Sequence, residues 1–179
     1  MLLEQIKNPD SLRYHEQVDL ELRGRFSIRN VAEAWAWLVA ANTALRTVFR
    51  WDGLREPVQI VLKASTNAPR VIDLSDCDQH AQNSAWGRLV DEDRRNRFDL
   101  LTVPVRLTIC DMGSERWRLL LTNHHIVLDG WSTAIVVGRL FGALELLERG
   151  EPLLADSGSD FANYVRFLPP QIAKGIAQA

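Results

Sequence analysis

The stretch Asn123-His124-His125-Ile126-Val127-Leu128-Asp129-Gly130-Trp131-Ser132 constrains this chain more than any other part of it. Its surroundings read as a buried strand, Arg116 to Asn123, that ends in two adjacent histidines and turns into a helix. Asp129-Gly130 marks a tight turn, and Ser132 is the expected cap of a helix running to Arg149. That helix has Val136, Leu140, Ala143, Leu144 and Leu147 on one face, an i,i+4 pair Glu145–Arg149, and a stop at Gly150. Strand side chains alternate between faces, so His124 and His125 point opposite ways while they remain in the strand.

The remaining pattern builds a sheet with helices around this segment. Val18, Leu20 and Leu22 alternate with charged residues as in a half-buried strand ending at Gly24. Ser27 caps an expected helix to about Thr43, apolar on more than one side through Val31, Ala34, Trp35, Leu38 and Leu45 with Trp37 and Val39. Leu45 to Trp51 and Pro57 to Leu62 read as strands joined at Asp52-Gly53, and Arg70 to Leu74 as another. A polar helix from Asp78 to Asn96 follows, then Val105 to Cys110, expected to pair antiparallel with the histidine strand. Asp160 to Leu168 reads as a last short helix before Pro169-Pro170. The fold class is α/β in the broad sense (α+β): a mixed, mostly antiparallel sheet with packed helices, in one compact unit.

Charge and composition narrow the function classes. A net charge of -2 excludes the basic footprint of a nucleic-acid surface. Arg88 and Arg94 to Arg97 are interleaved with Asp91, Glu92 and Asp93, the pattern of a solvated helix face. No signal peptide develops after Met1-Leu2-Leu3, and the densest apolar stretch, Val31 to Ala41, is too short to span a bilayer. Cys77 and Cys110, far apart in sequence, are expected to be packing residues in a reducing compartment. A cytoplasmic protein is expected.

Three readings of His124-His125 stand side by side. Both are structural; or both bind a metal, which their opposite directions disfavour; or one faces a cleft while the other braces it. The third suits catalysis, because imidazole titrates near neutral pH, at about 6.5 when unperturbed. An amine attacking a thioester needs alignment and removal of one proton, and its thiol leaving group departs readily. The Gly130 backbone, with no side chain above it, can approach a developing oxyanion or let a substrate arm pass.

His-His-x-x-x-Asp-Gly-Trp-Ser, with several separated segments, resembles the condensation domains of nonribosomal peptide synthetases, acyltransferases with the chloramphenicol acetyltransferase fold. Leu45-Arg46-Thr47-Val48-Phe49 is similar to a Leu-Arg-Thr-x-Phe motif, and Pro57-Val58-Gln59-Ile60-Val61 to the segment that follows it. Phe98-Asp99-Leu100 with Pro104-Val105-Arg106, and Phe161-Ala162-Asn163-Tyr164-Val165, resemble two more. Ala41-Asn42-Thr43 stands where the family usually has Arg-His-Glu.

The resemblance covers one lobe of a two-lobed domain. It implies that residues 1–179 are an N-terminal lobe, truncated at both ends and without the C-terminal lobe. It implies amide bond formation between a carrier-bound acyl or peptidyl thioester and a carrier-bound aminoacyl amine. His125 and Gly130 would be catalytic, and His124, Asp129 and Arg46 structural at the site, with Asp129 and Arg46 as a buried pair. Asp129→Ala is therefore expected to damage folding at least as much as chemistry. No cofactor is expected on this chain, the phosphopantetheine arms coming from partner carrier domains, donor and acceptor. The missing lobe is another expected partner, and a homodimer through the exposed lobe face is another. Alone, the chain is expected to be weak or inactive. The alternatives are a non-catalytic half-domain that binds a carrier or second lobe, and a lobe of an epimerisation-type domain.

Overall fold

The computed structural model describes residues 1–8, 11–65 and 67–154. The expected helix at 160–168 and the motif at 161–165 lie outside them. In chain order the elements are α1 (Leu2–Lys7), β1 (His15–Arg23), α2 (Ile28–Ala41), a 3-10 turn (Thr43–Arg46), β2 (Thr47–Arg50), β3 (Val58–Val61), β4 (Arg70–Asp73), α3 (Gln79–Arg95), β5 (Val105–Asp111), β6 (Arg116–His124) and α4 (Gly130–Glu148).

Four strands form the main sheet in the order β1-β6-β5-β4. β1 and β5 flank β6 antiparallel, while β4 runs parallel to β5. This is the expected mixed, mostly antiparallel sheet. β2 and β3 stand apart as a second, two-stranded antiparallel sheet. Leu45 belongs to the 3-10 turn rather than to β2, because Thr47 Oγ1 bonds back to the Thr43 carbonyl and closes that turn.

Strand alternation sorts the main sheet into two chemically different faces. Val18, Leu20 and Leu22 share one face with Trp117, Leu119, Leu121, Val105, Leu107 and Ile109. That face packs against Val31, Ala34, Trp35 and Leu38 of α2 and Val136, Leu140 and Leu144 of α4. Each such aliphatic side chain contributes about 1.5–3 kcal/mol on burial, so this layer carries the fold. Trp35 is fully buried and its indole N–H donates to the Asn67 carbonyl at 2.7 Å, which satisfies its one polar atom.

The opposite face carries His15, Gln17 and Asp19 of β1 beside Arg118, Thr122 and His124 of β6, and α3 covers it. Trp86 donates to Asp19 at 3.0 Å, and Arg118 both pairs with Asp19 at 2.7 Å and lies over the Trp86 ring. Asp93 departs from the solvated-face expectation. Its carboxylate turns inward and accepts from Gln17 (3.0 Å), Arg106 (3.0 Å) and Thr122 (2.6 Å). Asp91 and Glu92 are exposed as expected. Helical geometry separates the three: consecutive residues are about 100° apart, so only one faces the sheet.

Turns follow their chemistry. Gly113, at φ +70° in the turn after β5, has Ser75 O 3.0 Å from where a Cβ would stand, so another residue there would be strained and would crowd that backbone. Cys110 is buried and its thiol is pushed up to about 11, chiefly by burial. Cys77 is exposed, and so is not the packing residue expected of it. Among the described residues, α4 is the one helix long and apolar enough by composition to cross a bilayer. In this fold its buried residues Val136, Leu140, Ala143 and Leu144 belong to the core.

Candidate functional site

The two histidines leave β6 at its last paired residue and occupy different environments. His124 is 3% exposed. The Ile126 N–H donates to its Nδ1 at 3.1 Å, so Nδ1 carries no proton and the neutral ring is protonated at Nε2. Nε2 lies 3.3 Å from Gln5 Oε1 of α1, which accepts, and Tyr14 packs tilted against the ring at 5.7 Å. Burial, and then the nearby His15 and His125, pushes the His124 imidazole down to about 4. It is a neutral brace at physiological pH.

His125 continues the strand pairing by donating its backbone N–H to the Tyr14 carbonyl at 2.8 Å. Its side chain is 31% exposed and turns to the α2/α4 side of the sheet. Nδ1 is buried, 2.8 Å from Glu16 Oε1, which lies off the ring N–H direction. Nε2 is left as the accessible nitrogen. One histidine braces while its neighbour faces outward, as strand alternation requires.

After His125 the chain makes a turn closed by Val127 N–H to the His124 carbonyl at 3.1 Å, and Leu128 returns to the core. The helix cap is Asp129, not Ser132: the Asp129 carboxylate accepts the Ser132 N–H at 2.7 Å. That bond holds its carboxyl below the usual range. Gly130 is the first helical residue, and nothing lies within 4 Å of where its Cβ would be. The Gly130 and Trp131 N–H groups have no intrachain acceptor among the described residues, as the first donors of a helix must. Trp131 and Ile135, one turn apart, are 84% and 61% exposed.

The buried pair expected between Arg46 and Asp129 is not formed. Asp129 is exposed on its helix end, while Arg46 lies in the 3-10 turn and donates to the Leu62 carbonyl at 2.5 Å. A carboxylate that can cap a helix from water avoids the desolvation a buried pair demands. Asp129→Ala is accordingly expected to lower Tm by only about 2–4 °C, as for loss of one cap in a domain of this size. A thermal melt checks this, and a collapse of the fold would restore the buried-pair reading.

His124 predicts a pH dependence of stability. Its folded value, about 4, lies below the unfolded value of 6.5, so between these the unfolded chain binds more protons. The stabilisation is complete above pH 6.5 and is lost as pH falls toward 4, on the order of 3 kcal/mol in all. Urea unfolding across that window should show the loss in the wild type and a flatter profile in His124→Gln.

The structure brings His124, His125, Asp129 and Gly130 into one segment and leaves Arg46 apart. Among the described residues no group of three His, Cys, Asp or Glu converges as a metal ion would need. A concavity of about 640 Å³ lined by Val48, Arg50, Phe98 and Arg106 includes neither histidine. Sequence reasoning missed Gln5, Glu16 and Asn123. Asn123 is fully buried and its Nδ2 reaches the Leu128 carbonyl (3.4 Å) and Glu16 Oε2 (3.5 Å). Parity was a usable signal for Glu16: it is a carboxylate in step with Val18, Leu20 and Leu22 on the apolar face.

Comparison with known proteins supports the resemblance. A family profile described as "Condensation domain" matches residues 1–171. A linear gramicidin synthase polypeptide of Brevibacillus parabrevis is 31% identical over 172 residues, 96% of this chain and 3% of that protein. Surfactin synthase subunit 3 of Bacillus subtilis (strain 168) is 29% identical, over 96% of this chain and 14% of that one. The chain therefore spans a small part of these relatives. Among solved structures, the first condensation domain of the calcium-dependent antibiotic synthetase, in complex with a substrate analogue, superposes with a TM-score of 0.80 at 25% identity. The match covers 90% of this chain and 39% of that one. The starter condensation domain of rhizomide synthetase shares the fold, with a TM-score of 0.77 at 20% identity over 98% of this chain and 42% of that one. With its sheet, its histidine segment and nearly its whole length matched, the chain belongs to the condensation-domain family of nonribosomal peptide synthetases.

Proposed function

We propose that this chain is the histidine-bearing lobe of an amide-forming condensation site. The carrying observation is the split between adjacent histidines, His124 held neutral and buried, His125 presenting Nε2 outward. The amine of a carrier-bound aminoacyl group attacks the carbonyl of a carrier-bound acyl or peptidyl thioester. A C–N bond forms, the C–S bond breaks, His125 Nε2 takes the proton the amine loses, and the departing thiolate receives it. The phosphopantetheine arms are substrate carriers brought by donor and acceptor carrier domains, and the open space above Gly130 suits their passage. The helix-start N–H groups of Gly130 and Trp131 suit a developing negative charge. The reaction fits the cytoplasm, where carrier thioesters are made.

A second lobe supplies the facing wall in this reading. The exposed Trp131 and Ile135 favour association on that side, which also keeps open a half-domain that binds a carrier without turnover. Mixing the chain with a separately produced second lobe and two loaded carrier domains tests the choice. Amide product that requires both lobes supports the condensing site. Carrier binding without product supports the non-catalytic module.

A further inference from the structure

Proton transfer through His125 leaves one titratable neighbour without a role. Glu16 sits on β1, opposite Asn123 in the β1–β6 register, on the largely apolar α2/α4 face. A carboxylate there loses part of its hydration, since its side chain is 38% exposed, and gains no arginine or lysine among the described residues. Its two oxygens instead divide between two partners. Oε1 lies 2.8 Å from His125 Nδ1, and Oε2 receives a long contact of 3.5 Å from Asn123 Nδ2. Asn123 is itself fixed, fully buried and tied to the Leu128 carbonyl of the turn that follows the histidines.

We infer that Glu16 is a positioning residue for His125, holding its proton on Nδ1 so that Nε2 presents the lone pair. The inference deepens the condensing-site reading and rests on it. Three observations carry it. Nδ1 is buried and, among the described residues, Glu16 is its one close polar neighbour, so a proton on Nδ1 has that carboxylate beside it and a bare Nδ1 lone pair would face a negative charge. Nε2 is the exposed nitrogen, where an incoming amine can reach. Asn123 anchors the carboxylate to the same turn that sets the histidine, so ring and acceptor move together. The angle at Nδ1 is off the linear hydrogen-bond direction, as catalytic contacts often are before substrate closes the site.

Glu16 takes no proton in this scheme. When Nε2 accepts the amine's proton the ring becomes an imidazolium, and the adjacent carboxylate stabilises that charge until the proton leaves with the thiolate. The adjacent histidines therefore carry opposite tautomers: Nε2–H on His124, set by the Ile126 N–H, and Nδ1–H on His125, set by Glu16.

Ring 15N NMR of the full 179-residue chain, at a pH well above the ordinary imidazole range, reads both tautomers directly. His124 serves as the internal reference. In the wild type, His125 should show a protonated Nδ1 and a bare Nε2. Glu16→Leu should move His125 toward the Nε2–H form and leave His124 unchanged. A His125 that is Nε2–H in the wild type overturns the inference even if no variant folds. A tautomer unchanged in a folded Glu16→Leu also overturns it. The readout needs no substrate, so it stands apart from the condensing-site reading. Wild-type lobes that give no amide while the tautomers are as stated would defeat that reading alone.

Discussion

Asp93→Ala is expected to destabilise this chain by about 3–5 kcal/mol, the usual cost of leaving a buried partner unpaired. Asp93 is the point at which α3 is tied to three strands of the polar face at once. It accepts from Gln17 on β1, Arg106 on β5 and Thr122 on β6, and His15 approaches within 3.9 Å. Burial opposes its ionisation, but the nearby His15 and the hydrogen bonds from Thr122 and Arg106 outweigh it and hold the carboxyl well below the ordinary carboxylate range. Removing it leaves Arg106 with a charge three-quarters covered and its Nε unpaired. A domain's whole stability is about 5–15 kcal/mol, so the variant should be marginal. Urea unfolding checks this, with Asp91→Ala as the comparison, expected to stay within about 0.5 kcal/mol. Equal losses in the two variants would mean that α3 is held by its apolar residues alone. Because the folded value is depressed, the Asp93 contribution is present above the unfolded carboxylate range and disappears only in stronger acid than the His124 contribution.

His125→Ala should lower the rate of amide formation by about 10²–10⁴-fold in the two-lobe assembly, the range for losing a general base. KM for the carrier-bound substrates should stay nearly constant, because in the proposed reading the carrier domains, not the imidazole, hold the arms. His124→Gln should weaken stability rather than kcat. Steady-state kinetics on both variants separate the two roles. A loss below tenfold for His125→Ala would mean that alignment supplies the rate and the histidine only helps to position the reactants. Parallel losses for both variants would dissolve the division into brace and base.

Much of the secondary structure was legible because it rests on local physics. Period-two alternation marked β1, and Ser27 and Asp78 cap α2 and α3 through their own side chains. The antiparallel pairing expected between Val105 to Cys110 and the histidine strand is formed as β5–β6. The cap of α4 was misplaced by three residues, since Asp129 and Ser132 are both good caps and only the backbone path chooses. α1 was missed altogether, a six-residue helix with little pattern to show.

At the site, the sequence alone determined that His124 and His125 must diverge, since successive strand residues cannot share a face. It also determined, through its motifs, the family to which the chain belongs. Only the tertiary structure decided which histidine is buried, because that depends on α1 and Tyr14 covering one end of β6. It separated Arg46 from Asp129, which are 83 residues apart by number and have no local signal relating them. It also brought Glu16 to His125 and Asp93 to Arg106 and Thr122. Such contacts join distant segments through strand register and helix docking, and a one-residue shift in register would turn the strand side chains among them to the other face.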